Sequence, residues 1–249
     1  VALPERGEVV ELSWHGVTHP GYRRAGNEDS YLADVPLFAV ADGMGGHSHG
    51  DRASDAVVRR LQAAVEGDFI EPSAIIEALN LATWDIHQLD AADHGIGTTV
   101  TGVALSLVNE HPQLATFNVG DSRVYRFSGN ELSQVTTDHS IVQEMVEAGQ
   151  LSADQADNHP ESNVITRAVG FSIEPEVDVR MLALEPGMRL LICSDGLTKE
   201  VPLERLRLHL AARLSARETA NALVDAALAQ GGRDNITVIV IDVVRAPGR

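Results

Sequence analysis

Apolar residues in this chain fall first in short continuous runs and then at helical spacing. Tyr31-Leu32-Ala33 and Leu37-Phe38-Ala39-Val40-Ala41 are too short for helices and read as strands. Over residues 51–66, Ala53, Ala56, Val57, Leu61 and Ala64 recur every three or four positions, the stripe of an amphipathic helix. A second helix, over 73–92, carries Ile75, Ile76, Leu79, Ile86 and Leu89. β-Branched residues then dominate 98–108. Further strands are expected at 113–119, 123–127 and 131–136, the last two joined by the turn Ser128-Gly129-Asn130. A short helix over 141–148 stops at Gly149, and the polar stretch 150–163 reads as an exposed flap. Strands return at 177–182 and 189–194. A helix over 216–229 ends at Gly231-Gly232, and a strand over 236–244 follows.

Runs of strands beside paired helices, without regular strand–helix–strand alternation, predict an α+β layered fold with mainly antiparallel sheets. Helices would cover the outside of a β-sandwich. No repeat, low-complexity tract or linker interrupts the 249 residues, so a single domain over 1–249 is expected.

Composition adds limits. The chain is 44% hydrophobic but only 4% aromatic, so its core rests on Leu, Val, Ile and Ala. No apolar run is long enough to span a bilayer, and the first residues lack the layout of a secretion signal; a cytoplasmic protein without a membrane segment is expected. The single cysteine, Cys193, excludes an internal disulfide framework and a multi-cysteine zinc site. Placed in Arg189-Leu190-Leu191-Ile192-Cys193, it reads as an inert core thiol. A formal net charge of -17 argues against nucleic acid and anionic lipid as main partners. Most of that excess reads as solvated surface.

A few carboxylates carry more. Asp42, Asp121 and Asp195 each follow an apolar strand and precede Gly or Ser, in Ala41-Asp42-Gly43, Gly120-Asp121-Ser122 and Ser194-Asp195-Gly196. Asp234 stands just before a strand in Arg233-Asp234-Asn235, and Glu28-Asp29 precede the first one. An Asp-Gly pair taken alone is a turn. Several carboxylates brought to one rim of a sheet repel one another unless a cation lies between them. Hard oxygen donors with little His or Cys point to Mg²⁺ or Mn²⁺ rather than zinc. A glycine after the aspartate lets its backbone carbonyl approach as a further donor. The sequence has no dinucleotide fingerprint, P-loop, H-E-x-x-H pair or G-x-S-x-G elbow.

These motifs resemble, in order and over nearly the whole chain, the bacterial form of the metal-dependent type 2C (PPM) protein serine/threonine phosphatases. The residues that carry the resemblance are Arg24-Ala25-Gly26-Asn27-Glu28-Asp29-Ser30, Ala41-Asp42-Gly43-Met44-Gly45-Gly46-His47, Gly97-Thr98-Thr99, Asn118-Val119-Gly120-Asp121-Ser122-Arg123, Asp138-His139-Ser140, Ile165-Thr166-Arg167-Ala168-Val169-Gly170, Ser194-Asp195-Gly196-Leu197 and Arg233-Asp234-Asn235-Ile236-Thr237.

The resemblance implies a four-layer α-β-β-α sandwich with a flap at about 139–170. It implies two catalytic Mn²⁺ or Mg²⁺ ions and a third at a neighbouring site. Asp42 would bridge the catalytic pair with the Gly43 carbonyl on the second ion, Asp195 and Asp234 would complete the first, and Asp121 with Asp195 would hold the third. Glu28 and Asp29 would bind metal-bound waters. Arg24 would grip the substrate phosphate, with Asn235 assisting. The implied reaction is hydrolysis of phosphoserine and phosphothreonine by direct attack of a water bridging two cations. Phosphorylated proteins, and a serine/threonine kinase acting in opposition, are the implied partners of a monomer. Animal members carry His where this chain has Met44, so metal-bound water is the expected general acid, with nearby His47 expected to be structural. Two other readings are a non-catalytic phosphoprotein-binding module of the same fold and a hydrolase of small phosphate esters.

Overall fold

The computed structural model describes residues 1–3, 8–45, 49–89, 95–156 and 159–247. A short ribbon, β1 (Ala2–Leu3) and β2 (Glu8–Val9), precedes β3 (Glu11–His19), β4 (Asp29–Asp34) and β5 (Leu37–Met44). Helices α1 (Gly50–Ala63) and α2 (Pro72–Leu89) follow. Next come β6 (Gly97–Thr98), β7 (Val100–Val108), β8 (His111–Val119), β9 (Arg123–Ser128) and β10 (Glu131–Gln134), then α3 (Ile141–Glu147) and α4 (Ala153–Ala156). The order ends β11 (Asp178–Ala183), β12 (Arg189–Cys193), α5 (Asp195–Thr198), α6 (Leu203–Ala211), α7 (Ala216–Gln230) and β13 (Ile236–Arg245).

The strands form two main sheets. One runs β10-β9-β12-β13-β3; the other runs β11-β8-β7-β5-β4, with β6 added to β5. Every pairing within them is antiparallel. Side chains alternate across a strand, and that alternation builds the layers. On β5, Phe38 and Val40 face the second sheet, where Leu190, Ile192, Ile239 and Ile241 meet them. The intervening Leu37, Ala39 and Ala41 face outward and are covered by Ala53, Val57 and Leu61 of α1 and Ile75 and Leu79 of α2. On the other sheet, Leu191, Cys193, Val238 and Val240 pack against Leu206 and Leu210 of α6 and Ala220 and Leu223 of α7. The four-layer α-β-β-α sandwich is therefore the observed architecture. Among the described residues, no helix is long and apolar enough to cross a membrane.

Among the differences from the sequence reading, three bear on the layers and the site. Strand β3 was not expected, because polar residues occupy much of Glu11-Leu12-Ser13-Trp14-His15; it forms as an edge strand along β13. Helix α6 was missed because Leu206, Leu208 and Leu210 also fit a strand period, whereas only Leu206 and Leu210 are buried. Asp29 opens β4 rather than preceding the strand. The helix expected from residue 216 is sharply capped: Ser215 Oγ accepts from the Glu218 N–H at 3.2 Å, and Glu218 Oε2 accepts from the Ser215 N–H at 3.0 Å.

The outer layer is pinned by one buried cation. Arg189, at the start of β12, donates to Asp242 Oδ1 and Oδ2 at 2.5 and 3.0 Å, to the Leu210 and Leu214 carbonyls at 3.1 and 2.6 Å, and to Thr219 Oγ1 at 3.1 Å. Truncation leaves Asp242 and two carbonyls without their donor. Arg189→Met is expected to cost about 3–5 kcal/mol in urea unfolding; a loss under about 1 kcal/mol would contradict this account.

Candidate metal centre and active site

The alternation that sends Phe38 and Val40 between the sheets sends Asp42 there too, at the end of the cleft. Asp29 lies directly opposite Asp42 in the β4–β5 ladder, so both carboxylates share that face. Asp29 spans the sandwich: its Oδ2 accepts from Ser194 Oγ at 2.8 Å and Thr237 Oγ1 at 2.6 Å, both on the opposite sheet's side. Its Oδ1 is buried without a partner. Asp195 opens α5 just after β12, and its Oδ1 is likewise buried and unpartnered.

Asp121 is placed by a turn. Gly120 has φ +108°, and a Cβ there would lie 2.7 Å from Thr99 Cβ, so only glycine brings the chain this close. His139 Nδ1 accepts from the Gly120 N–H at 3.1 Å, while Asn118 Nδ2 and the His139 N–H donate to the Gly120 carbonyl at 3.0 and 2.9 Å. With Nδ1 accepting, the His139 proton is on Nε2, which faces Asp178 Oδ2 at 3.2 Å. Asp234 is held by a neighbouring loop. Glu200, its side chain buried, accepts from the Arg233 N–H, Nε and Nη2 at 3.1, 2.8 and 2.9 Å. In the sequence, the His139 motif carries no sign of this role, and nothing marks Glu200.

Charge is crowded here. Burial raises the Asp42 carboxyl well above the usual carboxylate range, and Asp29, Asp195, Asp121 and Asp234 all push it the same way. Asp29 and Asp121 are each pushed up to about 7, mainly by burial and then by Asp195, although hydroxyl donors at Asp29 and Lys199 near Asp121 oppose the rise. Glu28 is raised by burial, opposed by Arg24 and by a Gly50 backbone donor at the start of α1.

These shifts set a pH dependence. The folded state holds protons on Asp29 and Asp121 that the unfolded chain releases near pH 4. Their contribution is greatest below that unfolded pKa and is lost as pH rises through about 7. Metal-free protein is expected to lose roughly 2.5 kcal/mol for each such group between pH 5 and pH 8. Urea midpoints across that range check it; a midpoint that rises with pH in EDTA would contradict the cluster electrostatics.

The donor set suits a hard divalent cation: carboxylate oxygens, two of them buried and unbonded. As the side chains stand, no three carboxylates, imidazoles or thiols among the described residues form a closed metal-binding group. Two of the aspartates are instead engaged by the protein's own cations. Arg24 forks onto Asp234, Nη2 to Oδ2 at 2.8 Å and Nε to Oδ1 at 2.7 Å, and Lys199 Nζ rests on Asp195 Oδ2.

A protein phosphatase 2C domain model matches residues 23–230, which include Asp29, Asp42, Asp121 and Asp195 and stop four residues short of Asp234. The chain belongs to the protein phosphatase 2C family. It is similar to the serine/threonine phosphatase stp of Listeria welshimeri, 36% identical over 220 residues, 83% of this chain and 84% of that one. Its fold is similar to that of MsPP, a PPM Ser-Thr phosphatase from Mycobacterium smegmatis crystallised with cacodylate, at TM-score 0.85 and 33% identity, covering 94% of this chain and all of that one. It is also similar to the catalytic domain of PstP in complex with two manganese ions, at TM-score 0.82 and 32% identity, covering 95% of this chain and all of that one.

Within this phosphatase 2C sandwich, Asp42, Asp121, Asp195 and Asp234 act on one another through charge, with Asp29 among them. Asn235, expected to assist at the substrate phosphate, is bonded to backbone at both ends of its amide. Its Nδ2 donates to the Pro20 and Gly26 carbonyls, both at 2.9 Å, and its Oδ1 accepts from the Glu28 N–H at 2.8 Å. With both ends committed to backbone and the residue buried, Asn235 clamps the Arg24 loop. Cys193 is buried, its thiol pushed up to about 12, as suits an inert core residue. His47 lies outside the described residues.

Proposed function

We propose that this chain hydrolyses phosphoserine and phosphothreonine in proteins, using divalent cations held by its aspartates. The observation that carries the reading is the set of mutually repelling carboxylates around Asp42, with unbonded oxygens on Asp29 and Asp195. Mn²⁺ or Mg²⁺ held by Asp42, the Gly43 carbonyl, Asp195 and Asp234, with a third site at Asp121 and Asp195, would supply the charge that makes a bridging water nucleophilic near neutral pH. Asp29, oriented by Ser194 and Thr237, keeps Oδ1 free to accept a hydrogen bond from water. Glu28 offers a second acceptor beside α1. Arg24, with about half of its side chain exposed, can turn its fork from Asp234 to a phosphate. A protein substrate reaches that open face, and a serine/threonine kinase is the partner such an activity opposes.

Phosphate release from a phosphothreonine peptide tests the reading. Turnover is expected with Mn²⁺, none in EDTA, and slower turnover on small phosphate esters. No turnover with Mn²⁺ would favour the non-catalytic binding module, and faster turnover of small esters would favour a metabolite phosphatase.

A further inference from the structure

The chain contains one lysine, Lys199, beside eighteen arginines. That lysine follows the short α5 and lies one helical turn beyond Asp195, and Nζ is on Asp195 Oδ2. Its charge is also felt by Asp121 and Asp234. The side chain is 37% exposed, so its stem is covered while a route to solvent stays open. An ammonium is a compact point cation, unlike the flat fork of arginine, and is the side chain closest in character to a metal ion. It occupies one oxygen of Asp195 while the other is buried and unbonded.

We propose that Lys199 is a built-in counter-cation for the Asp121–Asp195 pair, which a divalent ion must displace, so that this one lysine sets the affinity of that end of the cluster for metal. The inference rests on the reading that the cluster binds divalent cations. Without metal, Lys199 relieves carboxylate repulsion. When metal arrives, two cations compete for the same oxygens, and the ammonium swings outward along its exposed side.

Two measurements on the whole chain test this, with Mn²⁺ as the probe. The first is calorimetric titration of wild type, Lys199→Gln, Lys199→Arg and Asp42→Asn. Removing the competing charge is expected to tighten the weakest Mn²⁺ site about tenfold or more in Lys199→Gln. The charge-retaining Lys199→Arg is expected to stay near wild type. The second is acetylation of Lys199 read by peptide mass spectrometry; its rate is expected to rise severalfold with saturating Mn²⁺. Because Lys199→Gln also leaves the carboxylates unscreened, its melting temperature in EDTA should fall while its gain from Mn²⁺ grows. A general structural defect would lower both. If Asp42→Asn loses the tight sites but Lys199→Gln keeps wild-type affinities and Mn²⁺ leaves acetylation unchanged, the inference falls and the metal reading stands. If wild type binds no Mn²⁺, both fall.

Discussion

Asp42→Asn is expected to lower phosphopeptide turnover at least about 10³-fold while making the metal-free protein more stable. The two effects share a cause. Asp42 is the carboxylate on which four others press. Asparagine keeps its shape but removes the charge that would draw in cations. Removing it also relieves the repulsion that Asp29 and Asp195 exert at this position. A stabilisation of roughly 1–2 kcal/mol is expected in EDTA near pH 8. The gain should shrink toward pH 5, where the folded cluster already carries protons. Paired kinetics and urea unfolding check both halves. A variant that is inactive and also less stable in EDTA would mean that Asp42 is a structural residue rather than a charge held in tension.

Gly196→Ala should damage fold and site together. A Cβ at Gly196 would lie 1.9 Å from the Asn235 carbonyl oxygen and 3.3 Å from Asp234 Cβ. The first contact is with backbone, so no rotamer change relieves it. Either α5 or the Arg233–Asn235 loop must move, and those segments carry Asp195 and Asp234. A loss of roughly 3 kcal/mol or more is expected, with weaker Mn²⁺ binding in whatever fraction folds. Urea unfolding and calorimetry measure the two effects. Wild-type stability would show that α5 and the loop are not packed as described.

Much of this was legible before any coordinates. The unbroken apolar run along residues 37–41 already marks a strand buried on both faces, and the stripe from Ala53 to Leu61 marks the helix that covers it. The helix expected over 216–229 is α7, and its Ser215–Glu218 cap is what the structure adds. Edge strand β3 and helix α6 escaped because local pattern is weak where one face is wet: β3 is specified by its ladder to β13, more than two hundred positions away in sequence.

For the site, the sequence by itself determined the inventory: which carboxylates stand beside strands and turns, with Gly43, Gly120 and Gly196 next to them, and that oxygen rather than sulfur or imidazole would meet a metal. The tertiary structure decided what each group is free to do. Asn235 is expected from the resemblance to assist at a phosphate, and Pro20, Gly26 and Glu28 engage both ends of its amide. Arg24 is paired with Asp234, and Asp29 is gripped by Ser194 and Thr237. Lys199, four residues from Asp195, became visible as a competing cation only once Asp121 was folded against them both. The reason is physical: periodicity is a local property and reports burial, whereas hydrogen bonds and charge pairs here join residues some two hundred positions apart, and only the folded sheets bring them within reach.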